Sequence, residues 1–457
     1  MRDATFIVFG ATGDLAKRKI IPALYELVAD KQIDQFRLVL VGRRQVAVEE
    51  VLRESALGLS DVNPDAWLRL AQRATYHQVD IADRHAFEDL RREIERLELG
   101  SGIHDRVFYL AMPPSAFEQV TANLHWSGLA RNQDRLVYEK PFGSDLASAR
   151  KLNACIAKAF PERQVYRIDH YLGKELVANI AMLRFTNRIL EPLWCREHIA
   201  QVDLVLSERL GMEGRRGEFY DANGALRDVV QNHLLQLLAL VAMEQPKTLT
   251  GDDVREQKAK VLSKTVFVDG VRGQYEGYTQ ELGVAKDSTT ETFAALRLEV
   301  RNARWKGVPF FVKTGKMLAR KEAAVIVKFK RTPCLLAACP EKPNELVIRI
   351  QPEPRVSLVL NAKTPGREGM VQPVELVFDH EYVFGSNTPD AYEALIVDAL
   401  RGEQGLFVRA DEVELAWKVV DAARAKLSDP PGIYARGSEG PAGLLAFEKR
   451  HQVRWDP

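Results

Sequence analysis

Nine consecutive residues, Arg167-Ile168-Asp169-His170-Tyr171-Leu172-Gly173-Lys174-Glu175, carry two acids, an imidazole, a phenol and two cations. They lie between a strand-like run, 164–168, and an apolar helical stretch, 176–183. Open α/β sheets present their ligands at such a strand-to-helix junction. His170 and Lys174 are four apart, so on a helix they share one face, with Asp169 and Gly173 on the neighbouring one. Cations on one face suit a phosphate, and a helix start adds backbone N–H donors. A solvated helix start with a capping acid has the same composition.

His233 is the candidate for proton transfer, because an imidazole titrates near pH ~6.5. It lies in the apolar stretch 226–243, long enough for a buried helix, together with Asp228, Gln231 and Asn232. On the residues alone, a core helix with a satisfied histidine is the plainer reading.

A third candidate is Gly10-Ala11-Thr12-Gly13-Asp14-Leu15, between the apolar run 5–9 and a helical pattern over 15–29. Strand, glycine turn and helix let backbone approach a pyrophosphate resting on the helix N-terminus. The spacing is GxxGxL rather than GxGxxG, so position carries the reading. The next strand-like run, 37–41, ends in Gly42-Arg43-Arg44. Arginine accommodates a 2′-phosphate where an acid would bond the ribose 2′-hydroxyl, which favours NADP over NAD; a solvated surface pair is the alternative.

The elements that must position these residues follow from periodicity. Helical patterns over 46–57, 64–73, 84–97, 117–129 and 145–160 alternate with strand-like runs at 75–79, 106–110, 135–138 and 164–168. That alternation predicts a parallel, doubly wound sheet. Ala111-Met112-Pro113-Pro114-Ser115 ends one strand, and its prolines predict a rigid loop without helix. Lys140 of Glu139-Lys140-Pro141-Phe142-Gly143 stands where another strand gives out. Beyond about residue 185, strand-like runs from 201–207 through a short one at 266–268 to 374–378 follow with few helices between them. An antiparallel sheet is expected there. The Pro/Gly-rich tail 429–443 reads as coil.

The chain's 457 residues suggest two or three domains. A composition 46% hydrophobic and 28% charged is that of a globular protein, and a net charge of +1 gives no global attraction to nucleic acid or anionic membrane. Cys155, Cys195, Cys334 and Cys339 form no CxxC pair and have no histidine at ligand spacing, so inert thiols are expected rather than a zinc site or disulfides. No metal site is expected. The first residues lack the pattern of a signal peptide, and the longest apolar run, 237–243, is far shorter than the ~20 residues of a membrane span. The expectation is a cytoplasmic protein.

Four stretches in order, GATGDLAKRK at 10–19, EKPFG at 139–143, RIDHYLGKE at 167–175 and RDVVQNHLLQ at 227–236, resemble the glucose-6-phosphate dehydrogenase family over nearly the whole chain. The resemblance implies a Rossmann-like dinucleotide-binding domain at 1–168 and a larger α+β domain at 169–457 with a mainly antiparallel sheet, which binds substrate and dimerises. It implies oxidation of D-glucose 6-phosphate to 6-phospho-D-glucono-1,5-lactone, the first step of the oxidative pentose phosphate pathway, with NADP preferred and NAD weaker. His233 then serves as general base with Asp169 as its partner. His170, Tyr171 and Lys174 clamp the phosphate, while Glu208, Asp228, Lys140, Lys316, Gln351 and Lys19 serve the sugar. Gly10, Thr12, Gly13, Asp14, Leu15, Arg43, Arg44, Lys140 and Pro113 serve the cofactor, and a homodimer or homotetramer is implied. The rival from another class is a regulatory protein that senses NADP without catalysis. The stretch 211–224 is about one residue longer than the family's pattern.

Overall fold

The computed structural model describes residues 3–59, 61–212, 216–333, 342–367, 370–379, 383 and 390–455. Cys334, Cys339 and residues 213–215 of the lengthened stretch lie outside the described residues. The chain forms two compact units. The first is Met1–Lys174 with Thr248–Arg255 and Pro389–Glu414, and the second is Glu175–Lys247, Glu256–Thr388 and Leu415–Pro457.

The first unit is built on β1 (Ala4–Phe9), β2 (Phe36–Gly42), β3 (Ala74–Gln78), β4 (Asp105–Leu110), β5 (Arg135–Tyr138) and β6 (Val165–Ile168). All six run parallel, with β1 between β2 and β4. Every residue of β1 is buried, as expected for a strand covered on both faces. The helices start where short polar side chains take up free amides: Asn63 Oδ1 accepts from Asp65 and Ala66 N–H, both at 3.0 Å, before Pro64–Gln72. Asp145 and Ser148 form a reciprocal capping box before Leu146–Ala159.

Two parts of this unit come from far along the chain. A two-residue strand, Phe407–Val408, pairs antiparallel with β6, and the helix Ala391–Arg401 buries Leu395, Ile396, Ala399 and Leu400 in the same core as β1 and β2. The prolines after β4 do not form a helix-free loop. Pro114 opens a 3₁₀ turn, Pro114–Ala116, that runs into the helix Phe117–Trp126. Proline is tolerated in a first turn, where its missing N–H would have no partner anyway.

Among the described residues, the second unit holds a nine-stranded sheet. Most of its neighbours are antiparallel, but β7 (Ile199–Ser207) and Pro309–Gly315 run parallel, as do Thr265–Tyr275 and Gly432–Tyr434. The strand expected at 266–268 extends over eleven residues, Thr265–Tyr275. Gly270 and Gly273 break its sequence pattern, and a register shift between Phe267 and Asp269 moves the faces. The tail expected as coil supplies the edge strand Gly432–Tyr434 and leads into the helix Gly443–His451, whose Phe447 ring lies 6.1 Å from that of Phe311. Side-chain periodicity predicts no helix at Arg216–Ala225 or Gly251–Lys264, and both are helical.

Candidate functional site

The cofactor candidates stand at the C-terminal ends of the parallel strands, around the point where strand order reverses beside β1. Gly10 has φ +79°, and a Cβ there would lie 2.3 Å from the Ala111 carbonyl oxygen. Only glycine lets the turn after β1 press against the end of β4. Gly10 and Ala11 N–H donate to the Val41 carbonyl at 2.9 and 3.1 Å, and Gly13 N–H donates to Gly10 at 2.9 Å. Thr12 and Leu15 are half-buried, Asp14 is exposed, and a π-helical turn, Ala16–Ile20, follows. A cradle that a single Cβ would fill, ahead of a helix start, fits a dinucleotide's pyrophosphate.

Arg43 and Arg44 are exposed just beyond β2. Their backbone is braced from the neighbouring strand: Tyr76 Oη donates to the Arg44 carbonyl at 2.5 Å and Gln78 Nε2 to the Arg43 carbonyl at 3.1 Å. Pro113 is exposed after β4, and Lys140 is half-buried after β5. Lys19 is exposed and donates to Asp390 Oδ2 at 3.1 Å.

The stretch 169–174 is a turn, with the helix starting at Glu175, so His170 and Lys174 do not share a helical face as the spacing predicted. Asp169 is 1% exposed, and Tyr171 N–H donates to its Oδ1 at 3.0 Å, while Leu172 N–H donates to its carbonyl at 2.9 Å. This side-chain turn bends the chain before a helix can start. Lys174 Nζ lies 5.0 Å from the Tyr171 ring centroid, so the cation and the phenol remain together despite the turn. A Cβ on Gly173 would come 2.5 Å from the Ala391 carbonyl oxygen, so glycine is what lets the turn reach the helix Ala391–Arg401. His170 stacks on Tyr392 of that helix at 6.4 Å and 3°.

Behind the turn, the buried Glu139 accepts a hydrogen bond from the Tyr109 hydroxyl at 2.5 Å. Burial pushes the Glu139 carboxyl up to about 7, with the Asp169 charge adding to the rise while Tyr109 and Lys140 oppose it. Burial also raises Tyr392, helped by Glu139 and Asp390. For a raised carboxyl the stabilisation is complete below the ordinary carboxylate range and is lost as pH rises through the folded value. The gap amounts to roughly 3 kcal/mol at Glu139. The unfolding free energy is therefore expected to fall between about pH 5 and about pH 8, and Glu139→Gln should flatten that fall. Equal slopes for both chains in denaturant titrations would remove Glu139 as the cause.

In the second unit, parallel register places Gly315 beside Ser207, so the residues that follow, Lys316 and Glu208, are neighbours and form an ion pair. Glu208 N–H donates to the Gly315 carbonyl at 2.9 Å. Asp228 and His233 lie in a π-helical segment, Leu226–Leu234, that continues as the helix Leu235–Ala242. In an α-helix residues five apart point about 140° apart. The i→i+5 winding turns them toward one face. Asp228 is half-buried and His233 is 4% exposed. Gln351 ends the strand Glu345–Gln351, half-buried, with Ala323 opposite. The second unit thus brings Glu208 and Lys316 together and aligns Asp228 with His233.

Sequence reasoning passed over Glu139, Tyr109 and Tyr392. Glu139 carried a signal, an acid flanking the Lys140 motif in a strand end; Tyr109 and Tyr392 carried none. Among the described residues no helix is long and apolar enough to cross a membrane.

A doubly wound parallel sheet with a glycine cradle, joined to a unit with a mainly antiparallel sheet that carries a buried histidine, defines a dehydrogenase of the two-part Rossmann class. Residues 7–179 match the family description "Glucose-6-phosphate dehydrogenase, NAD binding domain", and residues 181–456 match "Glucose-6-phosphate dehydrogenase, C-terminal domain". The chain belongs to the glucose-6-phosphate dehydrogenase family. It is 39% identical to the glucose-6-phosphate 1-dehydrogenase of Chlamydia pneumoniae, over 99% of this chain and 95% of that one. It is 41% identical to that of Bacillus subtilis, over 96% and 95%. A solved structure described as glucose-6-phosphate dehydrogenase in complex with its substrate glucose-6-phosphate superposes with a TM-score of 0.93 at 34% identity, covering 100% of this chain and 99% of the other.

Proposed function

We infer that the chain oxidises D-glucose 6-phosphate to 6-phospho-D-glucono-1,5-lactone with NADP as cofactor. Full-length similarity to enzymes of that name carries the reaction, since 99% of the chain aligns with one of them. The bound nicotinamide supplies the hydride acceptor. The protein's part is to hold the sugar, orient it and take one proton. His233 accepts the proton of the anomeric hydroxyl, and its burial keeps water from competing. Asp169 fixes the imidazole's tautomer and favours its protonated form, as a carboxylate does in hydrolase triads. Its Oδ1 is already oriented by the Tyr171 amide.

His170, Tyr171 and Lys174 bind the phosphate, supported by the turn that gathers them. Glu208, Asp228, Lys316, Lys140, Gln351 and Lys19 meet the sugar. Gly10, Thr12, Gly13, Asp14, Leu15, Pro113 and Lys140 serve the cofactor, with Arg43 and Arg44 on its 2′-phosphate. The dinucleotide belongs to residues up to about 168, and substrate binding and subunit pairing to the remainder. A homodimer or homotetramer is supported by the exposed apolar side chains of Leu360, Val374, Leu376 and Val377 on adjacent outer strands. A cytoplasmic setting is supported by the free thiols of Cys155 and Cys195.

Reduced-nicotinamide absorbance on mixing protein, glucose 6-phosphate and NADP tests the reaction, with NAD and free glucose as controls. Reduction that requires the phosphate is expected, and none with any pair would refute the activity. Arg44→Ala is expected to raise KM for NADP by roughly tenfold or more, the size of a lost charged hydrogen bond, with KM for NAD unmoved. Equal effects on both cofactors would sink the 2′-phosphate role.

A further inference from the structure

Lys316, one of the residues assigned to the sugar, has a neighbour that nothing so far assigns. Tyr220, 3% exposed on the helix Arg216–Ala225, lies with its ring centroid 5.1 Å from Lys316 Nζ. Burial keeps its hydroxyl protonated, and the charge of Asp228, with smaller effects from Glu208 and others, acts in the same direction. Tyr220 therefore stands within electrostatic reach of Lys316, Glu208 and Asp228 together.

Both sides of this contact are held in place. On Lys316's side, its N–H donates to the Thr292 carbonyl at 2.9 Å, and its own carbonyl accepts from the Tyr434 hydroxyl at 2.7 Å. On Tyr220's side, the next residue, Asp221, accepts from the Tyr278 hydroxyl at 3.0 Å and Ala285 N–H at 3.1 Å, and its carbonyl accepts from Thr290 Oγ1 at 2.7 Å. The ring packs edge-on against Tyr278 at 6.4 Å and 72°. The Lys316 backbone and the helix that carries the ring are thus held independently, while the ammonium itself is paired with Glu208 and lies against the ring.

An ammonium beside a lone carboxylate collapses onto it. An aromatic face attracts the same charge without using its N–H donors. A lysine shared between Glu208 and the Tyr220 ring spends one donor on the carboxylate and none on the ring, which leaves the others for an incoming hydroxyl. We propose that Tyr220 is a positioning residue of the sugar site, whose ring sets where the Lys316 ammonium stands and so how tightly the phosphorylated sugar is bound. The inference rests on the assignment of Lys316 to that site.

The test replaces Tyr220 by Phe, by the tri- and pentafluorinated phenylalanines, and by Met, with Lys316→Ala beside them. Fluorination weakens the ring's attraction for a cation with little change in its bulk. KM for glucose 6-phosphate is expected to match the unaltered chain in Tyr220→Phe, to climb along the fluorinated series, and to reach about tenfold in Tyr220→Met. The kcat and the cofactor KM should hold, because the ring acts equally on ground and transition states. A flat substrate KM across the fluorinated series, with Lys316→Ala raising it, would overturn the role of the ring and leave Lys316 in the site. If Lys316→Ala leaves substrate KM unchanged, the assignment of Lys316 fails and the inference falls with it. Should Tyr220→Met not fold, the fluorinated series decides alone.

Discussion

Replacing His233 by asparagine is expected to lower kcat by about a thousandfold, within the range a positioned general base contributes, with little change in KM for glucose 6-phosphate. Asparagine keeps a polar side chain of similar reach, so the buried segment Leu226–Leu234 should keep its packing. It cannot hold a proton at neutral pH, so the anomeric hydroxyl would have to lose its proton without a partner. The signature is a loss of kcat and kcat/KM in equal measure, which marks an interaction made only in the transition state. Steady-state rates for the two chains, at equal folded content by circular dichroism, decide it. Turnover within a few-fold of the unaltered chain would refute the base assignment.

Lys174→Ala is expected to act on the other parameter, raising KM for glucose 6-phosphate on the order of a hundredfold through loss of a charged hydrogen bond to phosphate. Lys174 leaves the first unit at the end of the turn, with its ammonium over Tyr171 and not on a helical surface. Removing it deletes one charge while the Asp169 turn and the Gly173 contact to the helix Ala391–Arg401 remain. The turnover of free glucose, which lacks the phosphate, should not change. The substrate KM of the unaltered chain should also rise with ionic strength more steeply than that of the variant, because screening acts on the charge that was removed. An unchanged KM would take Lys174 out of the clamp.

The two substitutions divide the reading between proton transfer and anchoring, and the division follows the structure. His233 is enclosed by apolar helix, whereas Lys174 sits half-exposed on a turn. A group that exchanges a proton in the transition state profits from exclusion of water. One that captures a dianion from solution has to be reached.

The sequence by itself determined the strand and helix alternation of the first unit, the antiparallel character of the second, and the placing of each motif at a strand end. These are legible because side-chain periodicity reports which faces are buried, and glycine or proline reports where the chain must bend. It also offered candidates for the chemistry-bearing residues, through motif types that resemble the family's. What it left open depends on contacts distant in sequence. Nothing local in Ala391–Arg401 says that it packs behind Asp169 and stacks Tyr392 on His170. The same holds for Gly432–Tyr434, whose Pro/Gly-rich surroundings read as coil until pairing with Thr265–Tyr275 supplies hydrogen bonds. The π winding of Leu226–Leu234 is invisible to a 3.6-residue period, yet it is what turns Asp228 and His233 toward one face. The turn at 170–174 replaces the expected helical face because Asp169 binds the backbone just ahead of it, and a side chain that competes for backbone amides wins wherever tertiary packing rewards the bend.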